Sequence, residues 1–198
     1  MADIMVATGN PNKVREYKQI LEPLGYRVHD LSEIEHFDVD ECGTTFAENA
    51  LIKAQSVYDK VAMMSIADDS GLSIDALNGE PGIYSARYLA DHDYQYKNKV
   101  ILERLEGAED RSAHFTCAIA LIDHNGEPHI FEGVMNGSIA LEPAGENGFG
   151  YDPIFVVPQY GLTSAQLLPE QKNAVSHRGQ AVRQLLAFLQ EHEEEVEK

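Results

Sequence analysis

The chain is short of cysteine, of basic residues and of long apolar runs, and each shortage closes off a class of protein. Its two cysteines, Cys42 and Cys117, stand far apart with no CxxC or Cys/His spacing around them. Neither a zinc site nor a disulfide framework is expected from that pattern, and free thiols in the reducing cytoplasm are. No apolar run approaches the about 20 residues that a membrane-spanning helix needs. The opening stretch MADIMVATGN has an acid at position 3 and neither a basic start nor a small-residue cleavage site, so no signal peptide is expected. Lysine and arginine total 15 against 33 aspartates and glutamates, a formal net charge of -18. A surface that negative disfavours non-specific contact with DNA or an anionic membrane. It leaves room for a small anionic ligand where a few cations and a metal ion reverse the field within one cleft. Part of the acidic excess lies in the tail EHEEEVEK, which reads as a solvated helix end. Repeats, low-complexity segments and Pro/Gly/Ser linkers are lacking too, so residues 1–198 are expected to form one chain-long domain.

What is present alternates between strands and helices. DIMVA (3–7) reads as a short apolar strand running into TGNPNK. Asn10 is a good N-cap and Pro11 a good first helical residue. Val14, Tyr17, Leu21 and Leu24 follow at spacings of three and four, so one helix is expected as far as Gly25. YRVHD reads as a second strand. Thr45 and Glu48 form a capping-box pattern for a second helix, with Phe46, Ala50, Ala54, Val57 and Val61 as its buried stripe. MMSIA (63–67) is then a strand that runs into Asp68-Asp69-Ser70-Gly71. Residues 94–106 read as a helix stopped by Gly107, and AHFTCAIALID and PHIFEGVMNGSIA as long strands joined by a hairpin at Asn125-Gly126. DPIFVV is a further strand, and 176–193 the last helix, with Val182, Leu185, Leu186 and Leu189 facing inward. The alternation implies an α/β fold with a long mixed central sheet and flanking helices. Strand order is not readable.

Four segments carry residues suited to chemistry. In TGNPNK (8–13) a strand end meets a helix N-terminus, where backbone N–H groups and Lys13 favour an anion. The P-loop signature is absent, and an ordinary strand-to-helix turn would carry the same residues. AGENGFGYDP (144–153) holds three glycines that allow close backbone approach to a ligand, with Phe149 or Tyr151 as a stacking face. A plain hairpin loop is the alternative. EQKNAVSHRGQ (170–180) sets Lys172, His177 and Arg178 near the start of the last helix, with Ser176 as its N-cap. Cations at the positive end of a helix are unfavourable unless an anion binds nearby.

The doubled aspartate is the fourth segment. Successive strand side chains point to opposite faces, so Asp68 and Asp69 can share one ion only if the backbone turns between them, which Ser70-Gly71 would permit. A hard cation such as Mg²⁺ prefers carboxylate oxygens, keeps several waters and bridges to phosphates, and Asp38, Asp40 and Glu41 offer a second arm. A solvated turn is the alternative for the pair taken alone. The four segments together point to a metal–polyphosphate site.

ATGNPNK, TTFAENALIKA, ADDSGLSIDAL, PGIYSARY, GFGYDPIF and SHRGQA, in that order from the first strand to the last helix, resemble the inosine/xanthosine triphosphate pyrophosphatases, enzymes that clear deaminated purine nucleotides. The resemblance implies a two-lobed α/β fold with the active site in the cleft between lobes, a homodimer, and Mg²⁺-dependent hydrolysis of ITP, dITP and XTP to the monophosphate and pyrophosphate. It implies that Thr8, Gly9, Asn10, Pro11, Asn12 and Lys13 make the phosphate loop and that Lys53 faces the triphosphate. Asp69 matches the general base and metal ligand, with Ser70 beside it and Asp68 supporting it or positioning the water. Phe149, Gly150, Tyr151 and Asp152 match the base-binding loop, and Lys172, His177 and Arg178 the purine-recognition segment. Where relatives read Glu-Glu-Thr-Gly, this chain has Asp40-Glu41-Cys42-Gly43, so Asp40 takes a metal-ligand position with a shorter reach. Asp40, Glu41 or a bridging water then completes the shell. The rival readings are a Mg²⁺-dependent phosphatase releasing orthophosphate and a nonenzymatic nucleotide-sensing module.

Overall fold

Val6 at the end of the first strand leads through a four-residue loop into a helix, and the chain returns as a strand parallel to the first. Strand β1 is Ala2–Val6, helix α1 is Pro11–Leu21 and strand β2 is Tyr26–Asp30, paired with β1 in register Ala2↔Tyr26 through Val6↔Asp30. A parallel pair needs such a crossover. The computed structural model describes residues 2–34 and 39–196.

The single helix expected as far as Gly25 is two pieces. Pro23 has no N–H to donate, so α1 stops at Leu21 and Glu22–Leu24 tighten into a 3₁₀ turn. Gly25 closes it at φ 87, its N–H bonded to the Glu22 carbonyl. The second helix, α2, is Phe46–Val61, and Thr45 caps it by accepting the Glu48 N–H at 3.1 Å. The return arm of the expected capping box is shifted by one residue. Glu48 Oε2 accepts from the N–H and hydroxyl of Thr44, at 2.6 and 2.9 Å, which also holds its carboxyl below the ordinary glutamate range.

The largest departure lies at the doubled aspartate. No turn forms there. Strand β3 runs from Ser65 to Ile74, through both acids, with its start parallel to β1. Leu72 and Ile74 beyond the acids are fully buried, so the chain must stay extended to deliver them to the core.

Helix α3 is Tyr94–Arg104, and strands β4, Ser112–Ile122, and β5, Pro128–Ile139, follow. The expected hairpin joins the two strands. The Asp123 carbonyl accepts the Gly126 N–H at 3.0 Å, with Gly126 at φ 84. DPIFVV splits, because Pro153 sits in a 3₁₀ turn, Asp152–Ile154, and only Phe155–Val157 form strand β6. A two-residue strand β7, Leu162–Thr163, and a short helix α4, Pro169–Val175, have no counterpart in the sequence reading. The last helix, α5, is His177–Val196. Ser176 caps it, accepting the Gly179 N–H at 3.0 Å, and the buried stripe is Ala181, Leu185 and Leu189, with Val182 and Leu186 at its margin.

Among the described residues seven strands form one open mixed sheet in the order β2-β1-β3-β4-β5-β6-β7, with helices flanking it; β5–β6 and β6–β7 are antiparallel. The chain divides into two compact units, Met1–Asp69 with Ala118–Phe131, and Ser70–Cys117 with Glu132–Lys198. The core of the first is built from small residues, Ala7, Ala50, Ala54, Ala67, Ala118 and Ala120 among them, which let α2 lie close on the sheet. The second has a core of large ones, including Leu72, Ile101, Leu105, Phe115 and Phe155. Among the described residues no helix is long and apolar enough to cross a membrane.

Candidate active site

The first unit gathers charge around the two acids of β3. Between β1 and α1 the Thr8 Oγ1 accepts the Asn10 N–H at 3.2 Å, and the Asn10 carbonyl accepts the first helical N–H, from Val14, at 3.1 Å. Asn10 thus stands at the helix start as expected, Pro11 opens α1, and Lys13 follows within its first turn. The Asn12 side chain lies outside the described set. A Cβ added to Gly9 would meet no protein atom within 4 Å, so the backbone there borders open space.

Lys13 Nζ reaches Asp68 Oδ2 at 2.6 Å. Lys53, from α2, donates to the Asp68 carbonyl at 2.7 Å and lies 3.3 Å from Glu41 Oε1 and 3.8 Å from Asp69 Oδ1. These cations explain how a strand tolerates two adjacent acids. Alternation then separates the acids: Asp68 is 3% exposed and paired with Lys13, while Asp69 is half-buried beside Lys53. Burial raises the Asp69 carboxyl above the ordinary aspartate range, against the pull of Lys53 and with a further push from the Glu41 charge. Ser70 follows on β3, partly buried.

The donor set suits a hard cation. Asp69 and Glu41 are carboxylates on either side of one lysine, and their mutual repulsion is what a divalent ion would relieve. Among the described residues no group of three or more His, Cys, Asp or Glu gathers as a metal cage. Two carboxylates match a cation that takes its remaining ligands from water and phosphate. Asp40 is exposed, and Asp38 lies outside the described residues.

The second unit gathers an aromatic loop. Phe149 is 65% exposed, with Lys172 Nζ 5.2 Å from its ring centroid. Asp152, 3% exposed, accepts from Lys172 Nζ at 2.5 Å and from the Phe149 N–H at 2.9 Å, so one buried carboxylate fixes both the cation and the ring's backbone. Gly148 permits this packing, since a Cβ there would sit 2.2 Å from Asp152 Oδ2. Tyr151 is only 4% exposed, and its hydroxyl donates to the Ser85 carbonyl at 2.6 Å. Burial holds its phenol proton on well above the ordinary tyrosine range. The accessible aromatic face is therefore that of Phe149. His177 stacks on Phe115 at 4.8 Å, and Arg178 is half-buried in the first turn of α5.

Two residues that the sequence reading passed over complete these groups. Asn49 on α2 accepts the Gly43 N–H at 2.9 Å, and Asn98 on α3 donates to the Gly150 carbonyl at 3.1 Å, with Gly150 at φ 66. Each is buried on the apolar side of its helix, Asn49 next to Ala50 and Asn98 three residues before Ile101. A polar residue in an apolar stripe is the signal that could have found them.

Residues 4–188 match the model of the Ham1 family. The chain is 47% identical to the dITP/XTP pyrophosphatase of Bacillus subtilis strain 168 over 194 residues, covering 96% of this chain and 98% of that protein. It is 46% identical to the dITP/XTP pyrophosphatase of Coxiella burnetii over 197 residues, with 96% and 98% covered. Among solved structures, the Staphylococcus aureus Ham1 protein superposes with a TM-score of 0.91 at 43% identity, over 96% of this chain and 99% of that one.

Proposed function

The chain belongs to the Ham1 family, and on that premise we propose that it is a hydrolase of non-standard purine nucleoside triphosphates, converting ITP, dITP and XTP to the monophosphate and pyrophosphate. One arrangement carries the reading: a half-buried Asp69, its proton affinity raised chiefly by burial, beside Lys53 and Glu41. A raised proton affinity makes Asp69 a better base than an exposed aspartate. Asp69 takes a proton from a water that attacks the α-phosphorus in line, the bond to the bridging oxygen breaks, and pyrophosphate leaves. Mg²⁺, when bound, supplies Lewis acidity that neutralises phosphate charge, and Asp69 and Glu41 are the residues to hold it. Lys13, Lys53 and the first N–H groups of α1 stabilise the charge that builds on the leaving group.

Asp68 stays paired with Lys13 and orients that lysine. On the purine side, Phe149 supplies the ring for stacking. Lys172, His177 and Arg178 supply donors for a 6-oxo group, which adenine lacks. The working form is a homodimer in the cytoplasm, as the family resemblance implies, and sedimentation of the purified chain tests the dimer.

A turnover panel of dITP, XTP, GTP, ATP and dTTP with and without Mg²⁺, with the released product identified, tests the reading. Preference for dITP and XTP with pyrophosphate released supports it. Equal rates on GTP and dITP overturn the substrate assignment, orthophosphate makes the protein a phosphatase, and tight dITP binding without turnover makes it a sensing module.

A further inference from the structure

Asn49 is fully buried at the end of the first turn of α2, and its amide orientation is set by chemistry. Its partner at 2.9 Å is the backbone N–H of Gly43, which can only donate, so the Asn49 oxygen must face Gly43 and the NH₂ group must face away. The NH₂ nitrogen is buried and makes no full hydrogen bond among the described residues. The Asn49 side chain interacts with the Asp69 carboxylate, whose Oδ2 is likewise buried. Gly43 itself leaves no slack, for a Cβ there would come 2.7 Å from Asn49 Oδ1 and 2.8 Å from Glu48 Cβ. Two residues before Gly43, Glu41 reaches Lys53.

We propose that Asn49 is a positioning residue: its oxygen clamps the Glu41-bearing segment at Gly43 while its NH₂ group orients the Asp69 carboxylate. One buried amide thereby sets the spacing between two carboxylates that come from different parts of the chain. A buried NH₂ group short of a full hydrogen bond is costly, and a carboxylate is the acceptor that repays it best. The proposal rests on the reading of Asp69 as the reacting carboxylate. Among the described residues the Asn49 side chain bonds the Gly43 N–H and neither the Thr8–Lys13 loop nor the Phe149 loop, so its effect belongs in the chemical step and not in substrate affinity.

The test uses Asn49→Asp, which keeps an acceptor for Gly43 but replaces the donor facing Asp69, and Gly43→Ala, which presses on the same oxygen without adding charge. Steady-state kinetics on dITP are read beside thermal melting. The expected result for Asn49→Asp is a kcat lowered about 100-fold with KM within about threefold, and for Gly43→Ala a smaller loss of about tenfold in kcat with the same split. A kcat within about threefold of the parent for Asn49→Asp, or a KM that rises as far as kcat falls, overturns the proposal. If Asn49→Asp does not fold, Gly43→Ala decides by the same criterion. Asp69→Asn serves as the control: if it stays active, the reading of Asp69 has failed, whereas an inactive Asp69→Asn beside active Asn49 and Gly43 variants defeats only the positioning role.

Discussion

In one unit Asn49 accepts a hydrogen bond from the Gly43 N–H, and in the other Asn98 donates one to the Gly150 carbonyl. Both asparagines are buried on helices, and both hold a glycine of a functional segment by its backbone. What differs is the half of the amide left over. Asn49 retains a donor on the side of Asp69, and Asn98 retains a buried acceptor, Oδ1. The lysine–aspartate pairs differ in the same way. Lys13–Asp68 anchors a position in the middle of a strand, whereas Asp152, the partner of Lys172, also holds the Phe149 N–H in a loop. The first unit fixes individual carboxylates on regular elements, as proton transfer requires; the second fixes an exposed ring, as recognition of a flat base requires.

The sharpest test of that contrast is Asp69→Asn, with kcat expected to fall about 10³-fold. Because the folded-state pKa of Asp69 is raised, the charged carboxylate costs stability once the pH rises above the ordinary aspartate range, and the cost is complete above the raised value. The variant therefore melts higher than the parent at neutral pH in EDTA, and the difference closes as the pH falls below about 4. Next come Lys13→Met and Lys172→Met. Each removes a cation from a buried aspartate and lowers stability by about 2 kcal/mol in urea unfolding. Loss in only one of the two would show that the pairs are not equivalent supports. Asn98→Leu separates the asparagines: KM for dITP rises about tenfold with kcat within about threefold, the inverse of the Asn49 pattern. Phe149→Ala is the mildest, with KM up about fivefold and stability changed by less than about 0.5 kcal/mol, since the ring is exposed.

Much of the local structure was legible because its causes are local. Thr45, Ser176 and Gly25 act on neighbours within a few residues and sit where the pattern placed them. The α/β class followed from alternation, and the motifs carried the family. The continuation of β3 through its acids was not legible, because the charges that permit it come from Lys13 and Lys53, 55 and 15 residues from Asp68. The burial of Tyr151 depends on Ser85, 66 residues away, so the aromatic left exposed could not be chosen from the loop alone. Asn49 and Asn98 look like surface residues in a list, and only the backbone each one meets reveals its place. Pro23 and Pro153 were readable signals that the apolar spacing outweighed.

The path of β3 has one more consequence. A repeated letter in a sequence suggests a spare copy, and Asp68-Asp69 is no such thing. The two acids lie on opposite sides of an extended backbone, one sealed against Lys13 and the other half-open beside Lys53. Neither can take the other's place without rotating the strand by half a turn, and the ladder to β1 through Ser65 and Ile66 holds it from doing so. A single residue inserted or deleted between Ile66 and Asp68 would exchange the two acids while leaving the composition of the site almost unchanged. At this position reading frame within the sheet, rather than the number of acids, is what the protein has to conserve.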